Sequence, residues 1–314
     1  MPALTPRLPD GVLIGHWTDR DAWTGCTAVL LPDGSVASCE VRGGAPGTLG
    51  TDGLSPASAG PGAHAILLTG GSAFGLAAAE GVSRWLLEQG RGFSMPVGLV
   101  PMVSGAVVYD LALGSGSRWP TADDGYTACV AATGTPERGS VGAGTGCTVG
   151  KLLREGWTKG GLGIASTGLP GGGIVAAVAA VNAVGEVVDG DGTILAGSWR
   201  DGAYMRSGEI LREHGEAVPS GREATTLVCV LTDAKLTKND AWLSARAAGA
   251  GMARAVHPVW TPYDGDAVFC VATNERDANS AVVAALAAEV TAEAIRDAVR
   301  SATGAPGCPA LSER

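Results

Sequence analysis

Thr225 stands where a run of turn formers and charges, Pro219-Ser220-Gly221-Arg222-Glu223, gives way after Ala224 to the apolar run Thr226-Leu227-Val228-Cys229-Val230-Leu231. A hydroxyl at the head of a buried strand is the position of the nucleophile in hydrolases that cut their own chain. Once the Ala224–Thr225 bond is broken, the residue carries a free α-amine beside its hydroxyl, so one residue supplies nucleophile and base. Threonine is also a good strand former, and the segment alone leaves both meanings open. Lys151 is the second candidate, closing Gly142-Ala143-Gly144-Thr145-Gly146-Cys147-Thr148-Val149-Gly150-Lys151. This run resembles a phosphate-binding loop, whose backbone amides wrap a phosphate. Position 145 is Thr instead of the required Gly, and Leu152 stands where the magnesium-binding hydroxyl belongs. A nucleotide- or phosphate-binding protein built on residues 142–151 is the rival function. Lys151 itself is either a solvated lysine or a buried cation beside a reacting carbonyl. Third come Asp264 and Asp266, two carboxylates at i and i+2 ahead of the apolar run Ala267 to Val271. On an extended segment they point the same way and can orient an amine or a hydroxyl.

Other groupings carry less. Gly70-Gly71-Ser72-Ala73-Phe74-Gly75 misses the spacing of a nucleophile elbow by one residue. His16, His64, His214 and His257 are the available imidazoles, and none stands in a recognisable triad motif. No zinc spacing is present, and Asp189-Gly190-Asp191 reads as a turn. No metal and no cofactor is expected.

The elements that must position these residues follow from local pattern. Val12 to Thr18, Thr27 to Leu31 and Ser35 to Val41 read as strands, with Pro32-Asp33-Gly34 as a hairpin turn. Ala65 to Leu68 is a short strand. A helix follows from Ser72 to about Gln89, with Phe74, Ala78, Val82 and Leu86 on one face. Thr145 to Gly197 is β-type. Within it Ile174 to Val184 is apolar enough to be buried on both faces, and Glu186 to Leu195 forms a hairpin. Tyr204 to Glu223 reads as an exposed irregular connection. Thr237-Lys238-Asn239-Asp240 is a capping box that starts a helix to about Val256. Ala267 to Ala272 is a strand, and Ser280 to Ser301 a helix with Val282, Leu286 and Val290 on one face. Strands buried on both sides, with helices between them, predict two sheets packed face to face and flanked by helices, in one domain.

Composition agrees. Of 314 residues, 46% are hydrophobic, enough for a large core. The 49 glycines cluster within apolar surroundings and so imply close backbone packing instead of linkers. A net charge of −9 without a basic stripe excludes nucleic acid and anionic membrane as natural partners. The seven cysteines are scattered in apolar runs without CxxC spacing. With no apolar leader in the first ten residues, they point to a reduced cytoplasmic protein.

Five segments together resemble one family, the DmpA/BapA-type aminopeptidases (peptidase family S58), which include the nylon-oligomer hydrolase NylC. The segments are Val41 to Thr48, Thr69 to Leu76, Gly142 to Gly146 with Gly150-Lys151, Thr225 to Lys238, and Asp264 to Phe269, in the family's order. The resemblance implies an N-terminal-nucleophile hydrolase with a four-layer α/β/β/α sandwich. It implies self-cleavage into residues 1–224 and 225–314 and hydrolysis of small peptides, amino-acid amides or amide oligomers. It also implies a homo-oligomer, such as a tetramer. Residue by residue, Thr225 matches the nucleophile and Lys151 a lysine close to it. Asn182 matches an oxyanion-hole asparagine, Tyr109 a tyrosine on the substrate or oxyanion side, and Asp264 and Asp266 an acidic pair at the nucleophile. Relatives often carry Asn or Gly before the nucleophile, where this chain has Ala224. A family member that folds without cutting itself is therefore a further alternative.

Overall fold

Ten strands build the two main sheets of the computed structural model: β1 (Leu13–Asp19), β2 (Thr24–Leu30), β3 (Val36–Val41), β4 (Thr48–Leu49), β5 (Ala65–Thr69), β6 (Val103–Val107), β7 (Gly161–Gly168), β8 (Ile174–Asn182), β9 (Thr225–Ala234) and β10 (Ala267–Arg276). The structure describes residues 6–60, 62–153, 155–214 and 224–314. The turn-rich run Pro219 to Glu223 lies outside them. Helices are α1 (Ala78–Glu88), α2 (Ala122–Val130), α3 (Ser207–His214), α4 (Lys238–Ala255) and α5 (Ser280–Ser301). The first sheet runs β1-β2-β5-β6-β4 and the second β7-β8-β9-β10-β3. Each has one parallel pair, β5/β6 and β9/β10, among antiparallel neighbours.

Strand alternation divides the apolar side chains between three cores. Ile14, Val29, Ile66 and Leu68 of the first sheet meet Val178, Leu227, Cys229 and Phe269 of the second, face to face. The opposite face of the second sheet, through Val175, Ala177, Val228 and Val230, packs on Ala245, Met252, Ala287 and Ile295 of α4 and α5. The outer face of the first sheet, through Ala28, Leu30 and Leu67, packs on Val82, Leu86 and Ala128 of α1 and α2. This is the expected four-layer α/β/β/α order. All nine residues of β8 are buried because its two faces belong to two different cores. The glycines explain how alanine-rich layers close up: a Cβ on Gly251 of α4 would lie 2.0 Å from the Ala288 carbonyl oxygen of α5.

Three expectations are corrected. Ser72–Ala77 is a 3₁₀ turn, and only Ala78–Glu88 is α-helical. The tighter winding puts Phe74 out of phase. It is 58% exposed and stacks on Trp119, while Ala78, Val82 and Leu86 are buried. On α5 the buried line is Val283, Ala287, Val290 and Ile295, and Val282 and Leu286 are only partly buried, because helix contact runs through alanine. Residues 207–214 form a helix instead of an irregular connection. Glu186, distant in sequence, accepts the Ser207 amide at 3.0 Å at its first turn, and Ile210 is buried. The capping box at Thr237 and Asp240 is present as expected, the Thr237 hydroxyl accepting from the Asp240 amide at 3.1 Å.

Candidate active site

Thr225 is the first residue of β9, 4% exposed, and pairs in register with Asn182, the last residue of β8. The two neighbouring strands therefore deliver a hydroxyl and an amide to the same end of the second sheet. The Thr225 hydroxyl donates to the carbonyl oxygen of Ala224 at 2.5 Å. That oxygen also accepts the Gly265 amide at 2.9 Å, and the Ala224 amide faces the Tyr263 carbonyl at 3.4 Å. Ala224 is thus held as one residue of parallel bridge against the loop before β10. Sequence reading took Asp264-Gly265-Asp266 for its acids and missed the glycine between them. A Cβ on Gly265 would stand 2.7 Å from the Thr225 hydroxyl oxygen, so the close approach needs glycine. The signal was present, an Asp-Gly-Asp run at a strand head, but its meaning depends on which strand lies alongside.

Lys151 and Asn182 form one buried polar unit. The Lys151 ammonium donates to the Asn182 side-chain oxygen at 2.7 Å and to its backbone carbonyl at 2.8 Å. The same side-chain oxygen accepts the Thr148 amide at 2.9 Å. The Asn182 Nδ2 donates to the Tyr109 carbonyl at 2.8 Å. Two donors on the oxygen fix the amide's orientation and leave one of the two Nδ2 hydrogens for another acceptor. Burial pulls the Lys151 ammonium down from 10.5 to about 7, with nearby anions, Asp264 among them, opposing the shift. Lys151 is therefore a buried amine near its titration point and not a solvated ammonium. Tyr109 meets Asn182 through its backbone; its side chain is half-buried and lines a small cavity with Leu113, Thr148, Lys151 and Trp157.

Asp264 and Asp266 are 2% and 3% exposed. The Asp266 carboxylate accepts the Thr226 amide at 2.6 Å and the Trp260 amide at 3.0 Å. The Asp264 carboxylate accepts the Thr261 amide at 2.7 Å. Among the described residues, then, the pair grips the backbone next to Thr225 and the loop facing it, and not the Thr225 hydroxyl itself. Burial raises both carboxyls, and for Asp266 the charge of Asp264 adds to the shift.

The glycine-rich segments prove to be packing devices around this site. A Cβ on Gly43 would fall 2.1 Å from the Asp264 carbonyl oxygen, and one on Gly146 2.5 Å from Asp110 Cβ. Asp110, pushed up to about 6 by burial, binds the Gly71 amide at 2.7 Å and the Thr24 hydroxyl at 2.8 Å. Lys159, missed by sequence reading, is fully buried and donates to the carbonyls of Gly144, Cys147 and Gly160 at 2.8–3.0 Å. It braces the loop that carries Thr148 and Lys151. The 142–151 segment itself is a 3₁₀ turn and a short strand, not the strand–loop–helix of a phosphate cradle. Among the described residues no cluster of three or more metal-binding side chains occurs.

Comparison with known proteins places this geometry. The model of Peptidase family S58 matches residues 10–310. A protein of Mycobacterium leprae (strain TN) named as an uncharacterized aminopeptidase is 42% identical over 290 residues, which cover 86% of this chain and 78% of that protein. A 6-aminohexanoate-oligomer endohydrolase of Paenarthrobacter ureafaciens is 32% identical over 276 residues, 85% of this chain and 74% of that one. Among solved structures, a Burkholderia sp. beta-aminopeptidase aligns with a TM-score of 0.70 at 24% identity, covering 96% of this chain and 88% of the other. An L-aminopeptidase D-Ala-esterase/amidase from Ochrobactrum anthropi, described as a variant of the Ntn hydrolase fold, aligns with a TM-score of 0.70 at 20% identity, covering 98% and 91%.

Proposed function

The chain belongs to peptidase family S58 and is a hydrolase of amide bonds, and on that premise we propose that it cuts itself between Ala224 and Thr225 and then uses Thr225 as its nucleophile. One observation carries the reading: the Thr225 hydroxyl lies against the carbonyl of the bond to be cut, with a second donor, the Gly265 amide, already on that carbonyl oxygen.

In the uncut chain the Thr225 nitrogen is an amide and cannot act as base. The hydroxyl oxygen attacks the Ala224 carbonyl carbon, and the hydroxyl proton ends on the Thr225 nitrogen as the carbon–nitrogen bond breaks. The product is an Ala224 ester on Thr225 with a free α-amine. Water hydrolyses the ester, leaving chains 1–224 and 225–314. In this reading Lys151, brought near neutrality by its burial, is the group that relays the proton. In turnover the α-amine takes that role. Its reference pKa of about 7.7–8.0 already lies near neutrality, and the cationic Lys151 favours its neutral form by repulsion. Thr225 forms an acyl-enzyme with an amide substrate and water releases the acid. The Asn182 amide stabilises the oxyanion, with Tyr109 on the substrate side. Asp264 and Asp266 hold the nucleophile's backbone and its facing loop.

The substrates are small peptides, amino-acid amides or amide oligomers, in line with the aminopeptidase and oligomer-hydrolase relatives. Among the described residues no helix is long and apolar enough to cross a membrane. The seven buried free thiols support a reducing cytoplasm, and the reading includes a homo-oligomer without nucleic-acid partners. Intact-mass measurement tests the central step: two masses meeting at Ala224/Thr225 support it. A single mass combined with full amidase activity refutes the free-amine mechanism.

A further inference from the structure

We infer that Lys159, which the mechanism above leaves unused, is a positioning residue for amide hydrolysis: through one intervening peptide group its ammonium orients and polarises the Asn182 amide toward the oxyanion. The inference rests on the oxyanion role of Asn182 proposed above.

The peptide group joining Cys147 to Thr148 is held at both ends. Its carbonyl oxygen accepts the Lys159 ammonium at 2.8 Å and the Gly160 amide at 2.9 Å. Its N–H, the Thr148 amide, donates to the Asn182 side-chain oxygen at 2.9 Å. Two amides therefore stand head to tail, with a cation on the first oxygen and the Asn182 Nδ2 at the far end. A positive charge at an amide oxygen favours the resonance form with positive charge on nitrogen, and so strengthens the N–H as a donor. Passed through Thr148 to Asn182, that polarisation ends on Nδ2, one hydrogen of which is committed to the Tyr109 carbonyl at 2.8 Å. The other meets the oxyanion. The row is assembled before any charge develops, which is the condition for effective transition-state stabilisation.

The cation is fixed in place. Lys159 is fully buried, and its three N–H donors are taken by the carbonyls of Gly144, Cys147 and Gly160. Its backbone pairs in register with Thr148, and its amide donates to the Pro309 carbonyl at 2.9 Å. Burial lowers its pKa from 10.5 to about 8, with Cys147, Cys308 and Asp110 opposing the shift. It therefore stays mostly charged at neutral pH, where Lys151, at about 7, is half-titrated. The two buried lysines divide the work: Lys151 exchanges a proton, and Lys159 holds a standing charge.

The test is a double-mutant cycle between Lys159 and Asn182, with alanyl p-nitroanilide as substrate and protein whose cutting is verified by intact mass. Lys159→Met removes the ammonium and keeps the stem; Lys159→Gln, which keeps a donor for the carbonyls, takes its place if the Met variant does not fold. Weakening by about 10–30% a donor worth 10²–10³ in kcat lowers kcat roughly two- to eightfold. That fall is expected with KM unchanged, and it is expected to vanish in the Asn182→Ala background, because a residue acting through Asn182 has nothing left to act on. An equal fall in both backgrounds, or none in either, overturns the inference and leaves Asn182 standing. An unchanged kcat in Asn182→Ala alone refutes instead the oxyanion reading. A second measurement is independent of cutting. In Thr225→Ala protein isotopically labelled at asparagine, only Asn182, Asn239, Asn274 and Asn279 give side-chain amide signals, and Asn182→Ala identifies the first. Its Nδ2 protons are expected to move upfield in the Lys159 variant; an unmoved signal overturns the polarisation.

Discussion

Replacing Lys151 with Met separates the lysine's chemistry from its packing. Met keeps most of the apolar stem and removes the ammonium. The comparison belongs in a Thr225→Ala background, so that both proteins stay uncut. Burial lowers the Lys151 pKa from 10.5 to about 7. At about 1.4 kcal/mol per tenfold, the folded state carries a penalty on the order of 5 kcal/mol for holding this group charged. Between those two values the unfolded chain binds a proton that the folded chain does not, so stability rises with pH across that window. The penalty is complete below about pH 7 and gone above about 10.5. The variant lacks the titrating group and escapes this dependence. It loses instead the two contacts to Asn182, at 2.7 and 2.8 Å. The side-chain oxygen keeps the Thr148 amide at 2.9 Å, so the loss falls mainly on the backbone carbonyl, about 1–3 kcal/mol with little dependence on pH. The expectation is a crossover: Lys151→Met is the less stable protein near pH 10 and equals or exceeds its parent near pH 6.5. The stability difference should swing by on the order of 5 kcal/mol, read as a melting-temperature difference that shifts by roughly 5–10 °C. Thermal melts of both proteins from pH 6 to 10.5 measure it. A difference that stays constant within about 1 kcal/mol would mean the ammonium is not penalised by burial, and the neutral-amine role of Lys151 would fall with it.

Five further substitutions have definite expected outcomes. Thr225→Ala should abolish both self-cutting and amide hydrolysis, measured by intact mass and by release of p-nitroaniline; survival of either removes the residue from its role. Gly265→Ala should fold, since its backbone is not in a left-handed conformation, but slow cutting at least about tenfold, because the new methyl meets the Thr225 hydroxyl at 2.7 Å. Asn182→Ala should lower kcat by about 10²–10³, the scale for loss of an oxyanion donor; a change confined to KM would place Asn182 on the binding side. On α1, Leu86→Ala should cost about 2–5 kcal/mol in denaturant unfolding. Phe74→Ser should cost only about 0.5–1.5 kcal/mol, the scale of its stacking on Trp119, which checks that Phe74 lies outside the core.

Legibility followed the range of the cause. The capping box at Thr237 and Asp240, the span of α5 and the two-sided burial of β8 come from neighbours within a few residues, and they could be read directly. The phase of Phe74 could not, because a 3₁₀ turn and an α-helix begin with similar sequences and differ in pitch. Nor could α3, whose first-turn partner is Glu186, some twenty residues upstream. In the site, Thr225, Lys151, Asp264 and Asp266 were visible as types in suggestive settings, while Asn182 and Tyr109 came only with the family resemblance. Lys159 looked like any lysine, since nothing local says that three carbonyls enclose it.

By itself the sequence determined which chemical groups are available, where strands and helices start, and that the chain is acidic and rich in close-packing glycine. These depend on local backbone preference and on side-chain type. The tertiary structure alone decided that Asn182 lies opposite Thr225, that Lys151 is buried and so titrates near neutrality, and that the acidic loop presents its glycine amide to the Ala224 carbonyl. Those facts belong to strand register and burial, and register is set by two distant segments sharing the same two cores.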